Sequence, residues 1–125
     1  MAAALCMEGA PPLPLAEGRF TLEWRHSVER VLWRETWQVM PDGGLALTGA
    51  AVKGSGAGME PGEGAVLADG WWQWRIEPPR TMRELVLGAS GATVGGWLLC
   101  APATPDTCRE IGTQPGAPLV LHGCR

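Results

Sequence analysis

From Arg19 to Met40 the chain alternates apolar and polar residues with a period of two. Phe20, Leu22, Trp24 and His26 fall on one face of the first half, and Thr21, Glu23 and Arg25 on the other. In the second half Val31, Trp33, Glu35, Trp37 and Val39 share a face opposite Leu32, Arg34, Thr36, Gln38 and Met40. Such alternation predicts two strands, because successive side chains of a strand point to opposite faces. If Ser27 to Arg30 form the connecting loop, Trp24 meets Trp33, Leu22 meets Glu35, Phe20 meets Trp37 and His26 meets Val31. Every inward residue then faces an inward residue, whereas a slip of one would set indoles against charges. His26 and Glu35 are the two polar residues on the apolar face. In this register they lie too far apart along the ladder for a direct hydrogen bond.

Further strands are expected along the rest of the chain. They are Ala3 to Met7, Leu45 to Lys53 returning against the second strand, Ala65 to Ala68, Trp71 to Ile76, Arg83 to Leu87, Trp97 to Cys100 and Pro118 to Leu121. Leu45, Leu47, Gly49 and Ala51 are expected on one face of their strand. Gly9 to Pro14 reads as a turn or edge segment, since proline cannot donate to a ladder. Pro41-Asp42-Gly43-Gly44 and Asp69-Gly70 read as turns. Glu77-Pro78-Pro79-Arg80 reads as a rigid connector, Ser90 to Gly96 as a loop and Cys108 to Ile111 as a helical turn. The total is about eight to ten short strands, which predicts an all-β fold: a small antiparallel sandwich or a partly open barrel.

Composition narrows the picture. A chain of 125 residues suggests one domain spanning 1–125. Its 18 glycines and 11 prolines suit short strands and turns and disfavour long helices. The net charge of −3, with no basic block, argues against nucleic acid as a partner. No apolar run is long enough for a membrane span. The N-terminal MAAALCMEGAPP lacks a basic start and a long apolar stretch. The expected location is therefore cytoplasmic, or periplasmic if the start is truncated. Seven tryptophans accompany one phenylalanine and no tyrosine, so the aromatic core is nearly all indole. Three of them, Trp71, Trp72 and Trp74, cannot share one face, and Trp71 is expected to be exposed.

The four cysteines are Cys6, Cys100, Cys108 and Cys124. They permit two disulfides in three connectivities, free core thiols or, least in keeping with their spacing, a metal site. Cys100 and Cys108 flank a short segment and could face each other across a loop. No C-x-x-C pair is present, and His122 has no ligand-like spacing around it, so neither a metal nor a cofactor is expected.

His26 and Glu35 form the first candidate site. One reading is an acid/base or metal-binding pair in an apolar pocket, where burial beside Trp33 and Trp37 raises the Glu35 pKa. The other is structural, with His26 closing the hairpin and Glu35 paired to Arg25 or Arg75. An inward carboxylate is costly unless it finds a partner or water. Ser27 beside His26 is no triad, since neighbours on a strand end point apart, and it reads as a turn residue with Glu29 in the same loop. The second candidate is Lys53, Gly54, Ser55, Gly56, Ala57, Gly58 and Met59. Its backbone N–H groups could form a nest for a small anion, although no G-K-[ST] of a P-loop follows.

The segments RFTLEWRHSVER, GSGAGMEP and LADGWWQWR resemble those of a bacterial family known as domain of unknown function 1850. The first carries Phe20, Thr21, Leu22, Trp24, His26, Ser27, Val28 and Glu29, with Glu35 a few residues on. The second carries Gly54 to Met59, and the third Asp69 to Trp72. The resemblance also extends to paired cysteines at Cys100 and Cys108. It implies no established activity. It does imply gene neighbourhoods with TRAP-type transporters of the TAXI class, and hence transporter subunits as partners. The expected function is a non-enzymatic accessory module that binds a partner protein or a small anionic ligand. In that reading His26, Glu29 and Glu35 line one end of the fold and Gly54 to Met59 close over it. The alternatives are a small hydrolase or isomerase, with Glu35 as base, His26 as acid and the glycine-rich loop as anion hole, and a purely structural β module.

Overall fold

The structure is a computed structural model, and it describes residues 3–25, 31–53, 63–88, 94–101, 107–113 and 116–124. Among them are eleven strands and no helix. They are β1 (Ala3–Met7), β2 (Leu13–Leu15), β3 (Arg19–Arg25), β4 (Leu32–Val39), β5 (Leu45–Lys53), β6 (Val66–Ala68), β7 (Trp71–Met82), β8 (Leu85–Leu87), β9 (Val94–Ala101), β10 (Thr107–Ile111) and β11 (Leu119–Gly123). They form two antiparallel sheets. The larger has seven strands in the order β10-β9-β3-β4-β5-β7-β6, and the smaller has four in the order β2-β1-β11-β8. Neither closes on itself, so the fold is a small β-sandwich and not a barrel.

The central hairpin has the register that its pattern predicts. Phe20 pairs with Trp37, Leu22 with Glu35, Trp24 with Trp33 and Arg25 with Leu32. Trp37 and Phe20 stack with ring centroids 6.3 Å apart at 8°. Cross-strand aromatic pairs of this kind add about 0.5–1 kcal/mol. Against them the small sheet presents Leu5, Leu13, Leu15, Leu87 and Leu121, which with Val39, Leu45, Leu47 and Leu99 make one buried cluster. The core therefore lies toward the end of the hairpin that carries Phe20, Trp37 and Val39.

Two turns meet their backbone demands with the expected residues. Asp69 and Gly70 both have positive φ, 54° and 81°, as a two-residue hairpin turn between β6 and β7 requires. Gly123 donates to the Gly43 carbonyl at 2.9 Å, joining β11 to the β4–β5 turn. A Cβ at Gly123 would stand 2.8 Å from that oxygen, so the sheets meet there only because the position has no side chain.

Four expectations are corrected. Cys108 to Ile111 is not a helical turn but part of β10, paired with β9 through Cys108–Cys100 and Ile111–Trp97. A local propensity reading could not see this pairing, which supplies the eleventh strand. Glu77-Pro78-Pro79-Arg80 is not a connector outside the sheet but lies within β7. There the register passes from Gly49–Arg75 to Leu47–Arg80, so the prolines sit where the ladder is interrupted and no N–H is needed. In β5 Trp37 pairs with Leu47 but Thr36 with Gly49, which makes Thr48 an extra residue. A bulge of one reverses the alternation beyond it. Ala50 and Val52, not Gly49 and Ala51, thus continue the face of Leu45 and Leu47. Finally, β9 begins at Val94, inside the stretch expected to be a loop.

All four cysteines are paired, Cys6 with Cys124 and Cys100 with Cys108. The first bond joins residues 118 apart in sequence and the second residues 8 apart. In the chain-entropy view the longer closure stabilises more, by about 4–5 kcal/mol against about 2–3 kcal/mol. We expect the Cys6→Ser/Cys124→Ser pair to lower the urea midpoint more than Cys100→Ser/Cys108→Ser. An inverted order in equilibrium unfolding would contradict the assigned pairing.

Candidate functional site

The candidate site lies on the inner face of the large sheet, at the end away from the core cluster. Its positions follow from the ladders. One row runs Leu22, Glu35, Ala50 and Trp74 across β3, β4, β5 and β7, and the next runs Trp24, Trp33, Val52 and Trp72. The four indoles of these rows are half-buried and stand outside the core cluster. Trp24 and Trp33 stack with centroids 6.3 Å apart at 12°. Trp33 meets Trp74 edge to face, 6.2 Å apart at 83°. The Trp33 Nε1 is buried and has no hydrogen-bond partner among the described residues. Buried indole N–H groups ordinarily find one.

Glu35 projects between these rings because it shares the alternation of Trp33 and Trp37. It is half-buried, and the Trp37 Nε1 donates to its Oε1 at 3.3 Å. Burial raises its pKa above the ordinary 4.5, and the Trp37 hydrogen bond offsets this only in part. No basic side chain among the described residues forms an ion pair with it. Arg75 belongs to the opposite face, opposite Gly49, and pairs with Glu77 at 3.7 Å. Arg25 alternates with Trp24 and so stands on the outer face of β3.

The sheet does not bring all the sequence candidates together. Lys53 is on the outer face, opposite Trp71 in the ladder, with its Nζ 5.7 Å from that ring. It does not converge with Glu35. His26, Ser27, Glu29, Gly54, Ser55, Gly56, Ala57, Gly58 and Met59 lie outside the described residues. Trp71 is not exposed as expected but only 8% accessible. The Arg34 guanidinium lies 4.1 Å above its ring from the neighbouring outer row, as a cation on a π-face. Arg34 also pairs with Glu23 at 3.8 Å. The outer-face alternation of Arg34 and Lys53 was a signal for this covering. Nothing in the sequence signalled that Trp74 would reach Trp33, because that meeting depends on the Thr48 bulge.

Two hollows lie elsewhere. A cleft of about 1100 Å³ lies at the other end, between the β4–β5 turn, the Thr81–Glu84 corner and His122. Two of its polar groups are engaged: Asp42 accepts from the Gly44 N–H at 2.8 Å, and the His122 Nδ1 lies 3.0 Å from the Gly123 carbonyl. A smaller hollow of about 320 Å³ lies over Gly49 on the outer face, flanked by Arg34 and Arg75. Both of these arginines already have carboxylate partners. No group of three potential metal ligands occurs among the described residues.

A family model described as Domain of unknown function (DUF1850) matches residues 20–104. The chain belongs to this family. The DUF1850 match begins at Phe20 and runs past β9, so it takes in Trp24, Trp33, Glu35, Trp72 and Trp74, while β1, β2, β10 and β11 lie outside it. No curated protein and no solved structure matches the chain.

The raised pKa of Glu35 has a consequence for stability. A carboxyl whose folded pKa lies above its unfolded value gives its full relative stability below the unfolded value. It loses that stability as pH rises through the folded pKa. The Glu35→Gln variant, which lacks this titration, should therefore gain on the parent protein as pH rises from below 4.5 toward neutral. Urea midpoints of the two proteins across that range check the sign, and a parent that instead gains on the variant would contradict the desolvation of Glu35.

Proposed function

We propose that this DUF1850 protein is a non-catalytic binding module whose contact surface is the tryptophan-lined end of the inner face around Glu35. The observation that carries this reading is a half-buried carboxylate set among indoles that has no basic partner among the described residues. A carboxylate whose hydrogen bond among the described residues comes from one indole, beside partly exposed aromatic rings, is what an absent partner would complete. The partner proposed is a protein subunit of a TRAP-type transporter, the linkage that the family resemblance implies.

A small anionic ligand is the second form of this reading. It rests on the stretch from Lys53 to Met59, and of these residues Lys53 is the one described. The enzyme reading needs a second proton-transfer group beside Glu35, and Trp37, its hydrogen-bond partner among the described residues, does not titrate. The two disulfides support work in an oxidising compartment, since such bonds persist there and are reduced in the cytosol.

The test is affinity capture from detergent-solubilised native membranes, without reductant, with the tagged chain as bait. Capture of a transporter subunit, reduced by Trp74→Ala but not by a substitution at exposed Glu63, is expected. Recovery of no such subunit, or equal recovery with Trp74→Ala, would remove the proposal.

A further inference from the structure

The outer face of the large sheet carries a site of its own. We propose that the hollow over Gly49 binds the oxyanion of a small molecule, a carboxylate or phosphate group, between Arg34 and Arg75. The inference goes beyond the tryptophan-lined inner face and uses none of its side chains.

The hollow follows from the ladders. Thr21, Thr36, Gly49 and Arg75 form one outer row across β3, β4, β5 and β7, and Glu23, Arg34, Ala51 and Gln73 form the next. On β5 the two rows have the smallest side chains, a bare Cα and a single methyl. The strands on either side carry longer or branched ones. The result is a trough along β5 of about 320 Å³, at the lower end of the range for small-molecule sites.

Gly49 shows that the trough is more than a gap in packing. Its φ is not positive, so the backbone there does not call for glycine. A Cβ would meet the Trp74 carbonyl oxygen at 3.4 Å and the Thr36 Cβ at 3.8 Å, both ordinary van der Waals contacts. Neither conformation nor neighbours exclude a side chain. A glycine inside a strand weakens it, and such a glycine often marks the close approach of a ligand. What the missing side chain preserves here is the floor of the hollow.

The lining sets the sign of the ligand. Arg34 on β4 and Arg75 on β7 flank the floor, the hydroxyls of Thr21 and Thr36 and the amide of Gln73 add neutral donors, and no carboxylate among the described residues lines it. Two cations over one floor repel each other, and an anion between them turns that repulsion into attraction. The carboxylates beside these arginines do not use up their donors. The Arg34 Nη2 lies 3.8 Å from Glu23 and the Arg75 Nε 3.7 Å from Glu77, both beyond hydrogen-bond length. The Arg75 side chain is 87% exposed, where such a pair contributes little. Trp71 holds the Arg34 guanidinium through its carbon, 4.1 Å from the ring centroid, a contact that spends no N–H. Each guanidinium carries five N–H groups in a fixed fork that matches an oxyanion.

The test is an NMR titration of the full, oxidised protein that follows the amide resonances of Gly49 and Ala51 and the Nε–H of Arg75. The probes are inorganic phosphate, N-acetylglycine and its uncharged counterpart N-acetylglycinamide, at matched ionic strength in chloride. Phosphate or N-acetylglycine should shift these resonances saturably, and the tighter of the two names the group. N-acetylglycinamide should not. Arg75→Gln, at an exposed position, should weaken the tighter probe about tenfold. Gly49→Val should abolish the response and leave the urea midpoint at or above that of the parent, since valine is the better strand residue. No saturable shift with either anion, or an equal response to N-acetylglycinamide, would overturn the proposal. Full affinity in Arg75→Gln or in folded Gly49→Val would overturn it too. A Gly49→Val midpoint well below the parent's would contradict it by showing that the glycine serves the sheet and not a ligand. The capture experiment reads Trp74 on the inner face, so either proposal can fail without the other.

Discussion

The pairing of β3 with β4 is the constraint on which the rest depends. It puts Phe20 over Trp37 at one end and Trp24 over Trp33 at the other, with Leu22 and Glu35 between. The aromatic pair at the first end is covered by the small sheet and becomes core. The pair at the second end stays outside the core cluster and half-exposed. A shift of β4 by one residue would turn Arg34 and Thr36 inward and Trp33 and Trp37 outward, taking from the small sheet the ring that stacks on Phe20. The same ladder that builds the core therefore obliges Glu35 to sit among indoles.

Much of this was legible in the chain. The hairpin register could be read because alternation on two strands and a short connection demand the same pairing. The strands β1 and β5 could be read from their apolar runs and flanking turn residues. What escaped reading depends on distant partners. Cys108 to Ile111 has no strong local preference and becomes a strand because β9 lies beside it, bonded through Cys100. The face of Ala50 depends on one extra residue at Thr48, and a bulge leaves no mark in a period-two pattern. Trp71 is buried by side chains from two other strands, so its own alternation said only which face it takes, not what covers that face.

The candidate site was half legible for the same reason. Glu35 stood out as a carboxylate in an apolar series, and the structure adds that it lacks a basic partner among the described residues. Lys53 seemed to belong with it through the glycine-rich motif, but the bulge and the ladder put Lys53 on the other face. Trp74 joined the site only through the register between β5 and β7. The two faces of the large sheet end up chemically distinct. The outer face carries Arg34 and Lys53 against Trp71, while the two inner rows at the far end hold, among the described residues, one carboxylate among four tryptophans.

The central claim is that this carboxylate is desolvated and has no ion-pair partner among the described residues. The most direct measurement is the site-specific titration of Glu35 through its carboxyl carbon resonance, in the oxidised protein without any partner. An apparent pKa above 4.5 is expected, from burial among the indoles. A value at or below 4.5 would mean that a cation or water already satisfies Glu35, and the site as described would not exist.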